Sequence, residues 1–377
     1  MKKVCVVIGT RPEAIKMAPV VLALREHPQD FDVSVCSTGQ HTTMLDGAMS
    51  AFNLKADVEL DVMKPGQSLA ELTSRLLLAL NTHFAATNPD LVLVHGDTTS
   101  AMTGALAAFY NLIEVAHVEA GLRTGNLLSP FPEEYNRRSV ALAARYHFAP
   151  TVAANANLVR EGIAAKDILV TGNTVIDALL LTIQSLEANP SEIQGLRDRL
   201  TPQIGFDIEK QPFILITAHR RENFGLGLDN ICFSIRELAT ANPDLSFIYP
   251  VHLNPKVKDV VEEKLSSLEN VNLIPPQDYK EFAWLLRHCH LVLTDSGGIQ
   301  EEAPALGKPV LVMRDTSERP EAITAGTARL VGTSAETIIR ETQKLIDDQA
   351  AYNQMARAVN PFGDGKAAIR IIECLKT

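Results

Sequence analysis

The residues best suited to chemistry in this chain stand where apolar runs stop. The stretch LVLTDSGGIQEEAPALGKPVLVMRDTSERPEA, residues 291–322, passes from an apolar run through Asp295-Ser296-Gly297-Gly298 into a short helical stretch closed by Gly307, then into a second apolar run. Two glycines at a helix start let the backbone approach a ligand and aim free N–H groups at it, which suits a phosphate or diphosphate. Glu301 and Glu302 one turn inside, with Arg314 and Arg319 downstream, point to a nucleotide rather than bare phosphate. The same glycines would also serve a plain tight turn with solvated charges around it. His219 follows the apolar run 213–217 and precedes Arg220-Arg221, a place for phosphate contact, proton transfer or simple surface charge.

Carboxylates gather in the first half. Asp97, in His95-Gly96-Asp97 after the run 90–94, either caps the helix opening at Thr98 or meets a ligand. Glu119 ends the run 115–118, where it serves acid–base chemistry or a loop ion pair with Arg123. Glu133, beside Glu134, does acid–base work or favours a helix N-terminus. Arg11 and Lys16 follow the first run, 4–8, and open parallel sheets bind ligands at such strand ends. Thr10 and Glu13 have capping-box spacing, and Pro12 suits a first helical turn. His288, Cys289 and His290 suggest a metal cluster at first glance, but they lack ligand spacing elsewhere and read as structural. Phe282 and Trp284 read as core by residue type alone.

The elements that must position these groups alternate. Apolar runs at 4–8, 31–37, 58–63, 90–94, 115–118, 146–149 and 168–171 are separated by helical segments, among them 68–87 and 98–110. The polar, Pro- and Gly-containing segment 187–211 reads as a connection or a helix with loops. A second series follows at 213–217, 246–251, 271–274, 291–293, 309–313 and 328–331. Two such series predict two Rossmann-like, doubly wound α/β domains facing each other across a cleft, residues 1–171 with 361–377 and residues 172–360, the last helix returning to the first domain. No GxGxxG is present, which argues against a dinucleotide.

The 377 residues exceed one comfortable core, and a net charge of −10 argues against nucleic acid as the main partner. Five scattered cysteines without CxxC spacing suit reduced thiols in a cytoplasmic protein. The opening MKKVCVVIGTRPEA reads as a first strand rather than a signal peptide, and no apolar run predicts a membrane span.

GTRPEAIKMAP (residues 9–19), HGDT (95–98), HVEAGLRTG (117–125), Pro132-Glu133-Glu134 with Asn136 and Arg137, TAHRREN (217–223) and the 295–322 stretch occur in order and at family spacing. In these motifs, from Lys3 to the final helix, the chain resembles the non-hydrolysing UDP-N-acetylglucosamine 2-epimerases of bacteria. The resemblance implies the glycosyltransferase-B type fold, a homodimer, no cofactor or metal, and interconversion of UDP-GlcNAc and UDP-ManNAc by elimination and re-addition of UDP. By the same resemblance Arg11, Lys16, His219 and Arg319 meet the diphosphate or sugar, and Ser296, Gly297 and Gly298 cradle phosphate. Glu302 holds the ribose, Gln277 and Phe282 the uracil, and Asp97, Glu119 and Glu133 are the acid–base carboxylates. Some relatives carry a second UDP-GlcNAc site built from a Gln-His and an Arg-Gln pair; here Gln40-His41 is present and the other pair reads Gly66-Gln67. A retaining glycosyltransferase on the same fold and a hydrolysing epimerase releasing ManNAc and UDP are the alternatives.

Overall fold

Runs that are apolar throughout, rather than alternating, belong in parallel sheets covered on both faces. In the computed structural model, which describes residues 1–39, 42–64 and 66–377, that is where they lie. The chain divides into two compact units, Met1–Leu181 with Phe362–Thr377, and Thr182–Pro361.

The first unit holds β1 (Lys2–Ile8), β2 (Phe31–Ser37), β3 (Val58–Glu59), β4 (Leu91–His95), β5 (Glu114–Val118), β6 (Tyr146–Ala149) and β7 (Ile168–Val170). They form one parallel sheet in the order β3-β2-β1-β4-β5-β6-β7. The chain winds outward from β1 to β3, then crosses back to set β4 on the other side of β1. The switch point, where connections diverge and leave a crevice, is therefore at the carboxyl ends of β1 and β4. The second unit repeats this plan with β8 (Phe213–Thr217), β9 (Ser246–Pro250), β10 (Val271–Ile274), β11 (Leu291–Thr294), β12 (Val310–Val312) and β13 (Ala328–Leu330). Its order, β10-β9-β8-β11-β12-β13, puts the switch between β8 and β11.

Helices cover the sheets through spaced apolar positions. Leu72, Leu76, Leu80 and Phe84 recur every fourth residue along the helix Leu69–Thr87 and pack with Cys5, Val7, Cys36, Val92 and Val94 of the sheet. Ser68 and Glu71 close a capping box at its start, and Asn88 ends it in the left-handed conformation. The last helix, Ala367–Lys376, lies in the first unit against the helix Arg11–Arg25. Asp177 Oδ1 accepts the Ala368 N–H at 2.8 Å, and Lys2 Nζ donates to Leu375 O at 2.9 Å.

One segment falls short of expectation, and another takes one of its two expected forms. The third run keeps ladder geometry only over Val58–Glu59, because Asp61 turns to a positive φ of 42° and leads the chain off the sheet edge. The 187–211 segment holds the helix Pro190–Ile204: Asn189 accepts the Glu192 N–H as its cap, and Gly205 ends it at φ 77°. This is the helix-with-loops form, with Asn-Pro as its start signal and Gly as its stop.

Candidate active site

The end of β1 is built tightly. A Cβ at Gly9 would lie 2.2 Å from Ser100 Oγ, so only glycine lets β1 run this close to the helix Thr99–Tyr110. Thr10 then caps the helix Arg11–Arg25. Glu13, 1% exposed, accepts from Gly9 N at 3.1 Å and Thr10 Oγ1 at 2.8 Å through Oε2, and from Thr98 Oγ1 at 2.7 Å through Oε1. Burial raises its pKa above the ordinary carboxylate range, against those three donors. This one carboxylate ties the exit of β1 to the exit of β4. Arg11 stands half-exposed in the first turn of the same helix, and Lys16 reaches from its second turn to Glu119 in a partly buried ion pair.

Glu119 follows β5 in the left-handed backbone region, φ 63°. For a non-glycine residue that strain, about 1–3 kcal/mol, persists where surrounding structure over-determines it, commonly at functional sites. Its Oε2 accepts from Lys16 Nζ and from Asn173 Nδ2, the latter at 2.8 Å, and lies 3.7 Å from His95 Nε2. Arg123 is instead engaged by Glu161 in a two-pronged bond of 2.8 and 2.7 Å. Asp97 does not act as the side-chain cap of the following helix; Thr98 takes that place, accepting the Ala101 N–H at 3.0 Å. The Asp97 carboxylate pairs with Arg137, and its pKa is raised by burial, with Arg137 opposing and Glu119 adding to the rise.

Glu133 and Glu134, indistinguishable by type, separate in space. Glu134 is fully buried and accepts from Thr124 N at 3.0 Å and Gly125 N at 3.2 Å, fastening the loop before the helix Glu133–Ala143. Glu133 Oε2 is buried with no hydrogen-bond partner, a polar atom left open for something else.

In the second unit, Asp295 at the end of β11 is fully buried. Its Oδ2 accepts the backbone N–H groups of His219 and Arg220, both at 2.8 Å, and Asn223 Nδ2 at 3.1 Å. That carboxylate shapes the turn after β8 and sets the His219 ring, which stacks on His252 at 5.3 Å between centroids. Burial lowers the His219 pKa. Ser296 donates its N–H to Thr294 Oγ1 at 2.9 Å. Neither Gly297 nor Gly298 has a positive φ, and a Cβ at Gly298 would meet nothing within 4 Å. At Gly297 it would first meet Arg220 Nη2, at 3.7 Å. A plain turn therefore makes no demand for these glycines, and their bare backbone leaves room in front of the helix Ile299–Ala305.

Arg220 borders that room, and Glu318 Oε2 lies 3.9 Å from the same Cβ position at Gly297. Arg220 and Arg314 each keep a buried guanidinium nitrogen, Nε and Nη1, without a partner. Burial works to raise the Glu318 pKa, yet Arg220, Arg314 and Arg319 hold it below the usual range. Arg319 also pairs with buried Glu301, whereas Glu302 stays half-exposed. Gln277, after β10, donates to Pro275 O at 2.7 Å and to Gln203 Oε1 at 3.1 Å. Phe282 is half-exposed on the helix Tyr279–His288, while Trp284 is buried. His288 packs on Trp284, Cys289 donates to Leu286 O, and His290 stacks on Tyr352, so the three neighbours go separate ways. Gln40 and His41 lie outside the described residues.

Sequence reasoning singled out the strand-end residues but missed the groups that hold them: Asp295, Asn173 and the bridging role of Glu13. Arg220 had a signal, its place beside His219, but no spacing rule distinguishes it from Arg221.

Two parallel α/β units with ligand-type groups at both switch points define a protein of the glycosyltransferase-B architecture. Residues 22–376 match the sequence model of the family described as UDP-N-acetylglucosamine 2-epimerase, and the chain belongs to that family. It is 52% identical over 374 residues to the UDP-N-acetylglucosamine 2-epimerase of Escherichia coli (strain K12), covering 99% of this chain and 98% of that one. It is also similar to the crystal structure of UDP-GlcNAc 2-epimerase from Neisseria meningitidis bound to UDP-GlcNAc, at 49% identity and a TM-score of 0.89, with 99% of each chain covered. The Methanocaldococcus jannaschii UDP-GlcNAc 2-epimerase in complex with UDP-GlcNAc and UDP superposes with a TM-score of 0.80 at 34% identity, again over 99% of each chain.

Proposed function

We propose that this chain is a non-hydrolysing UDP-N-acetylglucosamine 2-epimerase that interconverts UDP-GlcNAc and UDP-ManNAc, supplying ManNAc-type sugars for surface polysaccharide. The observation that carries the reading is Glu119, strained at the end of β5 with its carboxylate fixed on Lys16 and Asn173. The hydrogen at C2 of the sugar has no neighbouring carbonyl and is barely acidic. If the C1–O bond breaks first or in concert, UDP departs with the bonding pair and the oxocarbenium-like ring releases the C2 proton to a carboxylate. The product is UDP and a glucal-like C1=C2 alkene. A second group returns a proton to the opposite face of C2, and UDP re-adds at C1.

In this scheme Asp97, Glu119 and Glu133 carry the protons, and Arg11, Lys16, His219 and Arg319 meet the diphosphate or sugar. Ser296, Gly297 and Gly298 cradle phosphate, Glu302 the ribose, and Gln277 and Phe282 the uracil. Arg220, whose Nη2 is the nearest atom to a Cβ at Gly297 and whose buried Nε has no partner, joins the cations that stabilise UDP as charge develops. Incubation with UDP-GlcNAc in heavy water without an acceptor tests the reading. Deuterium at C2 in intact UDP-sugars is expected; free ManNAc with UDP would mean the hydrolysing reaction, and no exchange or turnover would refute both.

The reading includes a homodimer acting in the cytoplasm. The helices Leu69–Thr87, Thr99–Tyr110 and Glu133–Ala143 pack side by side and expose Leu78, Phe109, Tyr110 and Leu142, with Leu112 93% exposed beside them. An apolar face of this kind is what a second copy would cover. Leu112→Glu with Leu142→Glu should sediment as monomer where the wild type sediments as dimer. All five cysteines are free thiols, which suits a reducing compartment, and no described helix is long and apolar enough to cross a membrane.

A further inference from the structure

Asn173 belongs to none of the motifs above. It sits where the chain leaves the first sheet, 2% exposed, and its amide is sorted by its bonds. Oδ1 accepts the Val175 N–H at 3.1 Å at the start of the helix Thr174–Glu187, so the NH2 end is the one that donates to Glu119 Oε2 at 2.8 Å. Its backbone is pinned as well. The Asn173 N–H donates to Phe362 O at 2.7 Å, and a Cβ on neighbouring Gly172 would lie 3.2 Å from Gly363 Cα. The amide is thus clamped between a helix start and the returning C-terminal segment.

We propose that Asn173 is a positioning residue for Glu119: its amide N–H fixes the rotamer of the strained glutamate and favours the ionised form that can accept a proton. The kinetic part rests on the epimerase reading. Other groups also face Glu119. Lys16 Nζ comes from the helix Arg11–Arg25, His95 Nε2 from β4, and Asp97, backed by Arg137, from the turn after β4. Lys16 and Asp97 act by charge and in opposite directions. The amide adds an uncharged donor, and a hydrogen bond to the charged form lowers a carboxylate pKa.

Asn173→Ser and Asn173→Asp both keep an oxygen for the Val175 N–H, since Ser and Asp cap helices about as well as Asn. Ser is too short to reach Glu119, and Asp turns a like charge toward it. The acid limb of the kcat/KM pH profile for C2 exchange should rise by about one unit in Asn173→Ser, a ~10-fold loss below the limb that recovers at higher pH, and by more in Asn173→Asp. Loss that is uniform across pH, or an unmoved limb, would overturn the proposal. An activity-independent readout is carbon NMR of protein labelled at glutamate Cδ, with the resonance absent from Glu119→Gln assigned to Glu119. Its titration midpoint should rise in both variants, and an unchanged midpoint overturns the role. A wild type without C2 exchange would count against the proposed function and leave the carbon titration to decide on Asn173.

Discussion

The Thr98 hydroxyl donates to Glu13 Oε1 at 2.7 Å, joining the exits of β4 and β1 through a carboxylate that water scarcely reaches. Three donors converge on that carboxylate. Glu13→Ala strands all three and opens a cavity, so the variant should lose about 3–5 kcal/mol of unfolding free energy in urea titration. Glu13→Gln can keep Gly9 and Thr10 on its oxygen while Thr98 Oγ1 turns to accept from the amide, and should lose about 1 kcal/mol. Equal losses in the two variants would show that the converging donors are not what the residue satisfies.

Glu119 and Lys16 make a further pair whose separation is informative. Glu119→Gln keeps shape but cannot accept a proton, so C2 exchange should fall by about 10²–10⁴-fold. UDP affinity, measured by calorimetry, should stay within about threefold, because the group removed handles a proton and not the leaving group. A large loss of UDP binding would assign Glu119 to structure. Lys16→Met leaves Glu119 nearly buried without its cation and should cost both exchange and stability.

These two sites mark how far the sequence was legible. Strand ends are local: an apolar run and the polar residue after it suffice to locate Asp97, Glu119, His219 and Ser296, and the two-fold alternation yields both sheets. The capping-box spacing of Thr10 and Glu13 is equally local, and the Thr10 cap is there. That Glu13 also accepts from Thr98, 85 positions away, depends on β4 lying beside β1, which no local pattern encodes. Asn173 reaches Glu119 across 54 positions for the same reason. Glu133 and Glu134 show the converse: adjacent and alike in sequence, they diverge because a helix start turns one toward the 124–125 backbone and leaves an oxygen of the other unpaired.

Asp295 should control His219 through charge. Its carboxylate raises the imidazole pKa against the stronger lowering by burial. Asp295→Asn can keep its oxygen on the His219 and Arg220 N–H groups, preserving the turn while removing the charge. The His219 midpoint followed by nitrogen-edited NMR should therefore drop further below that of wild type, with little change in the melting temperature. A midpoint that rises or stays put would break the link. Asp295→Ala, which abandons three donors, should instead unfold more readily, by about 3 kcal/mol or more.

The partly buried Asp97 carboxylate and the Arg137 guanidinium paired with it make the protein's stability depend on pH. Burial raises the Asp97 pKa in the folded chain, so folding favours its protonated form. The stability it contributes is fully present below the ordinary value of about 3.9 and is lost as pH rises through the folded value. Arg137 opposes that rise. Arg137→Met should therefore move the Asp97 titration to still higher pH, and with it whichever limb of the kcat/KM profile Asp97 governs. Asp97→Asn should remove that limb altogether. If the limb survives in Asp97→Asn, it belongs to another group; if it falls in Arg137→Met, the guanidinium does not act on Asp97 through its charge. Carbon NMR of aspartate Cγ separates these outcomes from a general loss of fold, because the Asp97 resonance titrates whether or not the variant turns over substrate.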